Sequence, residues 1–247
     1  RWDYVTVFLS TVGAALPLSP DRVPGASDIA YINFANLDAF PFTFHQGVIE
    51  SALLLDALAS LRIPVSTLGS CTGPTLPPGT TEIRFDFDHL VGGGQSMGGM
   101  YINMLAAVDG RHTALVPTGA GGFWSYMILE TELLPSTRSA LGSILHVDGD
   151  ALSHLHPAMH LLELAWEPAD PLVYMPRLSR RPLPGVSPRP IYEPVGQGDS
   201  YFPTVLYDAV ALAYGHRQAG TVVWPSMQER LAYADLEGLV SYPIAND

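Results

Sequence analysis

The sequence predicts an α/β fold: a mostly parallel sheet flanked by helices, with an inserted helical cap. Three observations predict it. Short β-branched or aromatic runs alternate with helix-forming segments, a glycine-rich turn joins one run to the next helix, and residues 123–187 interrupt the alternation. With 247 residues, 47% of them hydrophobic and only 15% charged, the chain can bury a sizeable core, so neither a disordered tail nor a coiled coil describes it.

Taken in order, residues 4–9 (YVTVFL) read as a buried strand followed by a long Gly-, Pro- and Ser-containing loop, and 29–34 is a second short apolar run. Residues 46–61 set apolar side chains at helical spacing among good helix formers and stop near Arg62 and Pro64. Residues 64–81 form an irregular connection. Residues 89–92 then make a short strand that runs into the glycine turn 94–99, and 100–107 can be helical. Residues 113–117 are the next strand, entering the loop 119–122. Between 123 and 187, large apolar residues, His and Pro are interspersed without strand alternation, which reads as the helical cap. Residues 190–194 resume a strand, 196–199 form its loop, 204–214 an apolar helix ending at Gly215, and 221–224 a last strand. The core is therefore 1–122 with 188–247, and the cap 123–187.

The charge balance removes several classes of function. All twelve basic residues are arginine and the net charge is −12, so the chain repels phosphate backbones and nucleic acid is not an expected partner. Arg177, Arg180 and Arg181 make too short a cluster to change this. Cys71 is the only cysteine, which precludes an intrachain disulfide and a thiolate metal site. With no apolar run of about 18 residues, no integral membrane segment is expected.

The chemistry centres on Gly94-x-Ser96-x-Gly98, the nucleophile-elbow pattern, in which a serine sits on a strained turn between strand and helix and small neighbours let the backbone fold sharply. The following helix and the backbone N–H of Met97 can stabilise an oxyanion. Asp199, in Gly196-x-Gly198-Asp199 after the 190–194 strand, fits the catalytic acid in the chain order Ser, acid, His; an N-terminal helix cap is its plainer role. Asp148, Asp150 and Asp170, all in the cap, compete with it. After Asp199 the only histidine is His216, at a helix end where a favourable dipole interaction explains it without catalysis. His154, His156 and His160 lack an acidic metal motif and read as core or cap-lining, so no metal is expected. His45, His89, His112 and His146 carry no pattern.

Four stretches then carry a resemblance: Tyr31-Ile32-Asn33-Phe34 leading to His45-Gln46 and its helix, the elbow from Gly94 to Gly99, the segment 167–174 (EPADPLVY), and 196–203. Together they resemble α/β-hydrolase esterases and lipases, in particular the large bacterial virulence-factor lipases. The resemblance implies an α/β-hydrolase fold and favours an extracytoplasmic or secreted location. It also implies that 4–9 follows the oxyanion-loop strand, so that a His-Gly loop supplying a second donor precedes Arg1. The catalytic histidine would follow Asp247, and another segment or chain would complete the fold.

The expected activity is hydrolysis of a small-molecule or lipid ester through an acyl-enzyme on Ser96, with Asp199 orienting the histidine and no cofactor. The elbow reports the nucleophile and not the acyl donor, which leaves a serine peptidase or acyltransferase of the same fold as an alternative. A non-catalytic binding protein that keeps the fold is the third. Trp124, Met127, Met159, Leu161, Leu162 and Trp166 are the expected lining of an acyl pocket.

Overall fold

The computed structural model describes residues 15–27, 30, 33, 36, 38–70, 76–133 and 136–241, so the expected strand 4–9 and most of the run 29–34 lie outside it, as does Cys71. The first helix, α1 (Phe40–Ser60), starts well before the expected Gln46. Pro41 stands in its first turn, where its missing N–H costs nothing, and Phe40 and Phe44 are pulled into the core against Trp124. Tertiary burial thus extends a helix that propensity alone would begin later.

Two-residue strands β1 (Ile63–Pro64) and β2 (Glu82–Ile83) pair antiparallel, and a 3₁₀ turn at Phe87–His89, capped by Asp86, leads onward. His89 therefore lies in that turn, and strand β3 (Val91–Gln95) runs through the glycines themselves. Helix α2 (Met97–Val108) follows after one residue, and β4 (Ala114–Thr118) returns parallel to β3 in the register Val91 to Ala114 through Gln95 to Thr118. This strand–turn–helix–strand unit is the parallel crossover that the alternation predicted.

The expected strand at 190–194 is reduced to one parallel bridge between Leu115 and Ile191, flanked by bonds from Leu115 N to Pro190 O, Tyr192 N to Leu115 O and Gly119 N to Pro194 O. Pro190 and Pro194 have no N–H to give, which confines the segment to the edge beside β4. The expected strand at 221–224 is not formed. Val222 and Val223 are exposed, and Trp224 precedes α8 (Pro225–Tyr233), which packs on α7 (Thr204–Tyr214). The extended pairing there is instead β5 (Gln218–Ala219) with β6 (Leu239–Val240), parallel.

Residues 123–187 hold four helices, α3 (Trp124–Glu130), α4 (Thr137–Leu145), α5 (Pro157–Trp166) and α6 (Pro171–Tyr174), in chain order between β4 and α7, and no strand among the described residues. This segment shares the main core: Trp124, Met127, Trp166, Met175 and Leu178 belong to the same buried cluster as Met100, Leu115 and Leu206. Met159 and Leu152, with Leu129, form a smaller second cluster. Trp166 stacks on Phe40 at 4.2 Å, and Trp124 and Met127 are also buried. Of the residues expected to line an acyl pocket, these four side chains are therefore core, Leu162 packs against it, and Leu161 is exposed. Among the described residues no helix is long and apolar enough to cross a membrane.

Candidate active site

Ser96 occupies the single residue between β3 and α2 with φ 54° and ψ −119°. For a residue with a Cβ this conformation is strained by about 1–3 kcal/mol, and it persists only where the surroundings impose it. They do so on both sides. Ser96 N donates to Thr118 O at 2.9 Å, tying the turn to β4, and Met100 N donates back to Ser96 O at 3.1 Å, starting α2. A side chain at Gly94 would bring its Cβ within 2.2 Å of the Gly98 carbonyl carbon, so the backbone closes this tightly only with glycine there. Met97 is buried, and its N–H lies in the first turn of α2, where no intrahelical carbonyl can accept it. That N–H and the helix dipole together present positive potential beside the Ser96 hydroxyl.

Asp199 lies on the loop that follows the 190–194 edge segment. Ser96, Gly119 and Pro194 mark the carboxyl ends of three neighbouring parallel segments, linked by Ser96 N to Thr118 O and Gly119 N to Pro194 O. Two strand spacings, roughly 10 Å, separate the outer two. Asp199 thus emerges at the sheet edge that carries Ser96, where open parallel sheets place their sites. Its carboxylate is fixed from three directions: Oδ1 accepts from Tyr201 N at 2.8 Å and Phe202 N at 3.1 Å, and Oδ2 accepts from Tyr207 Oη at 2.9 Å. Tyr207 is buried, and burial and the neighbouring Asp199 carboxylate hold its phenol far above the usual range, so it stays a proton donor. Tyr207 carries no motif; its position one turn into α7 behind an Asp-bearing loop was the only sequence signal for it.

The competing acids have other roles. Asp148 caps a short 3₁₀ turn by accepting from Asp150 N. Asp170 is buried and accepts from Phe123 N, Trp124 N and Leu172 N, while Glu163 accepts from Ser125 N. The two carboxyls together cap the start of α3, and burial, with Glu163 alongside, raises Asp170 well above the ordinary carboxylate range.

All eight histidines lie in the described residues, and none hydrogen-bonds Ser96 or Asp199. His45 bonds Pro168 O, His89 bonds Asp86 and His156 caps α5 through Ala158 N. His154 packs on Tyr126, and His146 ends α4. His216 follows the α7 cap Gly215, stacks on Tyr214 at 4.3 Å and sets Nδ1 3.4 Å from Glu193 Oε2. Burial lowers its pKa to about 4, while burial raises the Glu193 carboxyl well above its ordinary value. Among the described residues, no three His, Cys, Asp or Glu side chains are grouped to hold a metal. Glu193 and His216 thus form a partly buried polar pair, invisible to a motif search because neither belongs to one.

Compared with known proteins, the chain matches no family model, no curated protein and no solved structure.

Proposed function

We propose that the chain is the catalytic portion of an α/β-hydrolase-type serine ester hydrolase, with Ser96 as nucleophile. The observation that supports it most is the strained Ser96 turn between a parallel strand and the helix whose first free N–H faces it. In this reading Ser96 Oγ attacks the ester carbonyl, the Met97 N–H holds the oxyanion, and Asp199, fixed by Tyr207, orients the imidazole that takes the serine proton. Water then hydrolyses the acyl-enzyme. The reaction needs an imidazole at Ser96, and no described histidine bonds that serine. This absence favours the second reading, a non-catalytic binding protein on the same scaffold.

A fluorophosphonate probe separates the two, because only an activated serine reacts quickly. Rapid labelling that is lost in Ser96→Ala, together with a loss of p-nitrophenyl acetate turnover on the order of a thousandfold, is expected of the hydrolase. Slow, Ser96-independent labelling would leave the binding protein.

A further inference from the structure

The geometry points to a second site, one for a small oxyanion, in a cleft at the amino-terminal end of β4. This is the end of the strand opposite Ser96, so the site is separate from the proposed esterase chemistry. The cleft, about 400 Å³, is lined by Gly110, His112, Thr113, Val186, Ser187 and Arg189 among others.

Two of these residues are buried and carry polar atoms without partners. Arg189 is 6% exposed; its Nη2 makes only a long 3.4 Å contact to Arg177 O, and its Nε and Nη1 meet no acceptor. His112 is 4% exposed, and its Nδ1 is likewise unpartnered. The nearby acid does not answer the guanidinium. Asp109 is engaged by Arg111, whose Nε lies 2.9 and 3.0 Å from its two oxygens, and Arg111 reaches Asp56 as well.

A guanidinium stays charged at any ordinary pH, and burying it uncompensated is strongly unfavourable. An oxyanion supplies the missing charge, and its oxygens match the two adjacent N–H groups of the guanidinium fork. His112 adds a donor when its Nδ1 carries the ring proton. Gly110 lies at the mouth, where a Cβ would sit in ordinary contact 3.7 Å from Val186 and only a longer side chain would fill the opening. Nε and Nη1 are sealed from solvent, so an anion reaches them only with a shift of the adjoining turn closed by Val186 N to Leu183 O, which contains Gly185 at φ 81°. Phosphate and carboxylate share this chemistry.

The test is thermal unfolding of the full chain against inorganic phosphate and, separately, acetate, with chloride at matched ionic strength as reference. A saturable rise in melting temperature with phosphate or acetate beyond chloride is expected, and the responding anion identifies the ligand class. Apparent affinity should fall at least tenfold in Arg189→Met. It should fall similarly in Gly110→Leu, which closes the mouth while keeping the charge. In buffer free of both anions, Arg189→Met should be no less stable than wild type. An equal response to chloride, or an unchanged response in the variants, overturns the site. Should Arg189→Met fail to fold, Gly110→Leu alone decides.

Discussion

The two outer glycines of the elbow are interchangeable in the motif but not in the structure, which gives a paired test. An alanine at 94 would place its Cβ 2.2 Å from the Gly98 carbonyl carbon and 2.3 Å from its oxygen, more than an ångström inside the 3.4 Å of ordinary contact. Both obstructing atoms are backbone at the start of α2, so relief requires separating β3 from the helix. Overpacking of this kind costs about 1–3 kcal/mol or more. For a chain of this size, that is a fall in melting temperature of roughly 2–12 °C. A Cβ at 98 meets nothing within 4 Å outside its own helix, and Gly98 is helical. Gly98→Ala should therefore stabilise by about 0.5–1 kcal/mol, from lower unfolded-state entropy. Thermal unfolding by circular dichroism, with fluorophosphonate labelling run in parallel, reads both variants. Gly94→Ala should melt lower and label slowly; Gly98→Ala should melt at or above wild type and keep its labelling rate. Equal melting temperatures for the two variants would refute the close approach of strand and helix.

Other variants probe the surroundings of the site. Tyr207→Phe removes the donor to Asp199 Oδ2; a hydrogen bond to a charged group is worth about 1.5–3 kcal/mol, so kcat/KM should fall roughly ten- to a hundredfold while Ser96 stays in place. An unchanged pH profile and rate would remove Tyr207 from the machinery. His216 is neutral in the fold down to about pH 4 but protonates near 6.5 when unfolded, so the unfolded state binds more protons in that window and stability falls as pH falls. In His216→Phe this contribution, ~1–3 kcal/mol, should vanish from the difference between urea titrations at pH 7 and 4.5, whereas an identical acid loss would contradict the neutral buried ring. Trp166→Ala should cost about 3–5 kcal/mol and reduce ester turnover evenly across chain lengths, because the ring is stacked core; a selective loss on long chains would return it to a substrate pocket.

What the sequence made legible is what local chemistry decides. The elbow, the helix Thr204–Tyr214 closed by Gly215 in the left-handed region and the strand Ala114–Thr118 follow from glycine placement and apolar period. The failures share one cause, which is tertiary context. Val222 and Val223 carry strand propensity but have no partner strand among the described residues, so 221–224 stays irregular while α8, announced only by Pro225 at its first position, packs its Met227 and Leu231 inward. Phe40 and Phe44 begin α1 early because Trp124 and Trp166, from the 123–187 segment, pack against them. The cap residues favoured as an acyl pocket are large and apolar, and composition cannot tell a lining from a core. Tyr207, Glu193 and His216 are joined only by folding and belong to no spaced motif.

Strain at Ser96 distinguishes it from the helix-flanking residues Phe123 and His146 in a way that bears on function. Phe123 and His146 also have positive φ, but their ψ values of 68° and 36° put them in the left-handed helical well, the least costly place for a side chain to be there. Ser96, with ψ −119°, lies outside that well, in the one-residue turn between β3 and α2. The conformation is imposed by three contacts: Ser96 to Thr118, Gly94 against Gly98, and Gly99 against Ala120. The Gly94 approach holds β3 to α2, and the other two hold the turn to Thr118 in β4 and to Ala120 just after it. A serine held out of its preferred backbone by three separate contacts, at the edge where Asp199 also emerges, is over-determined in a way that a loop serving packing alone would not require.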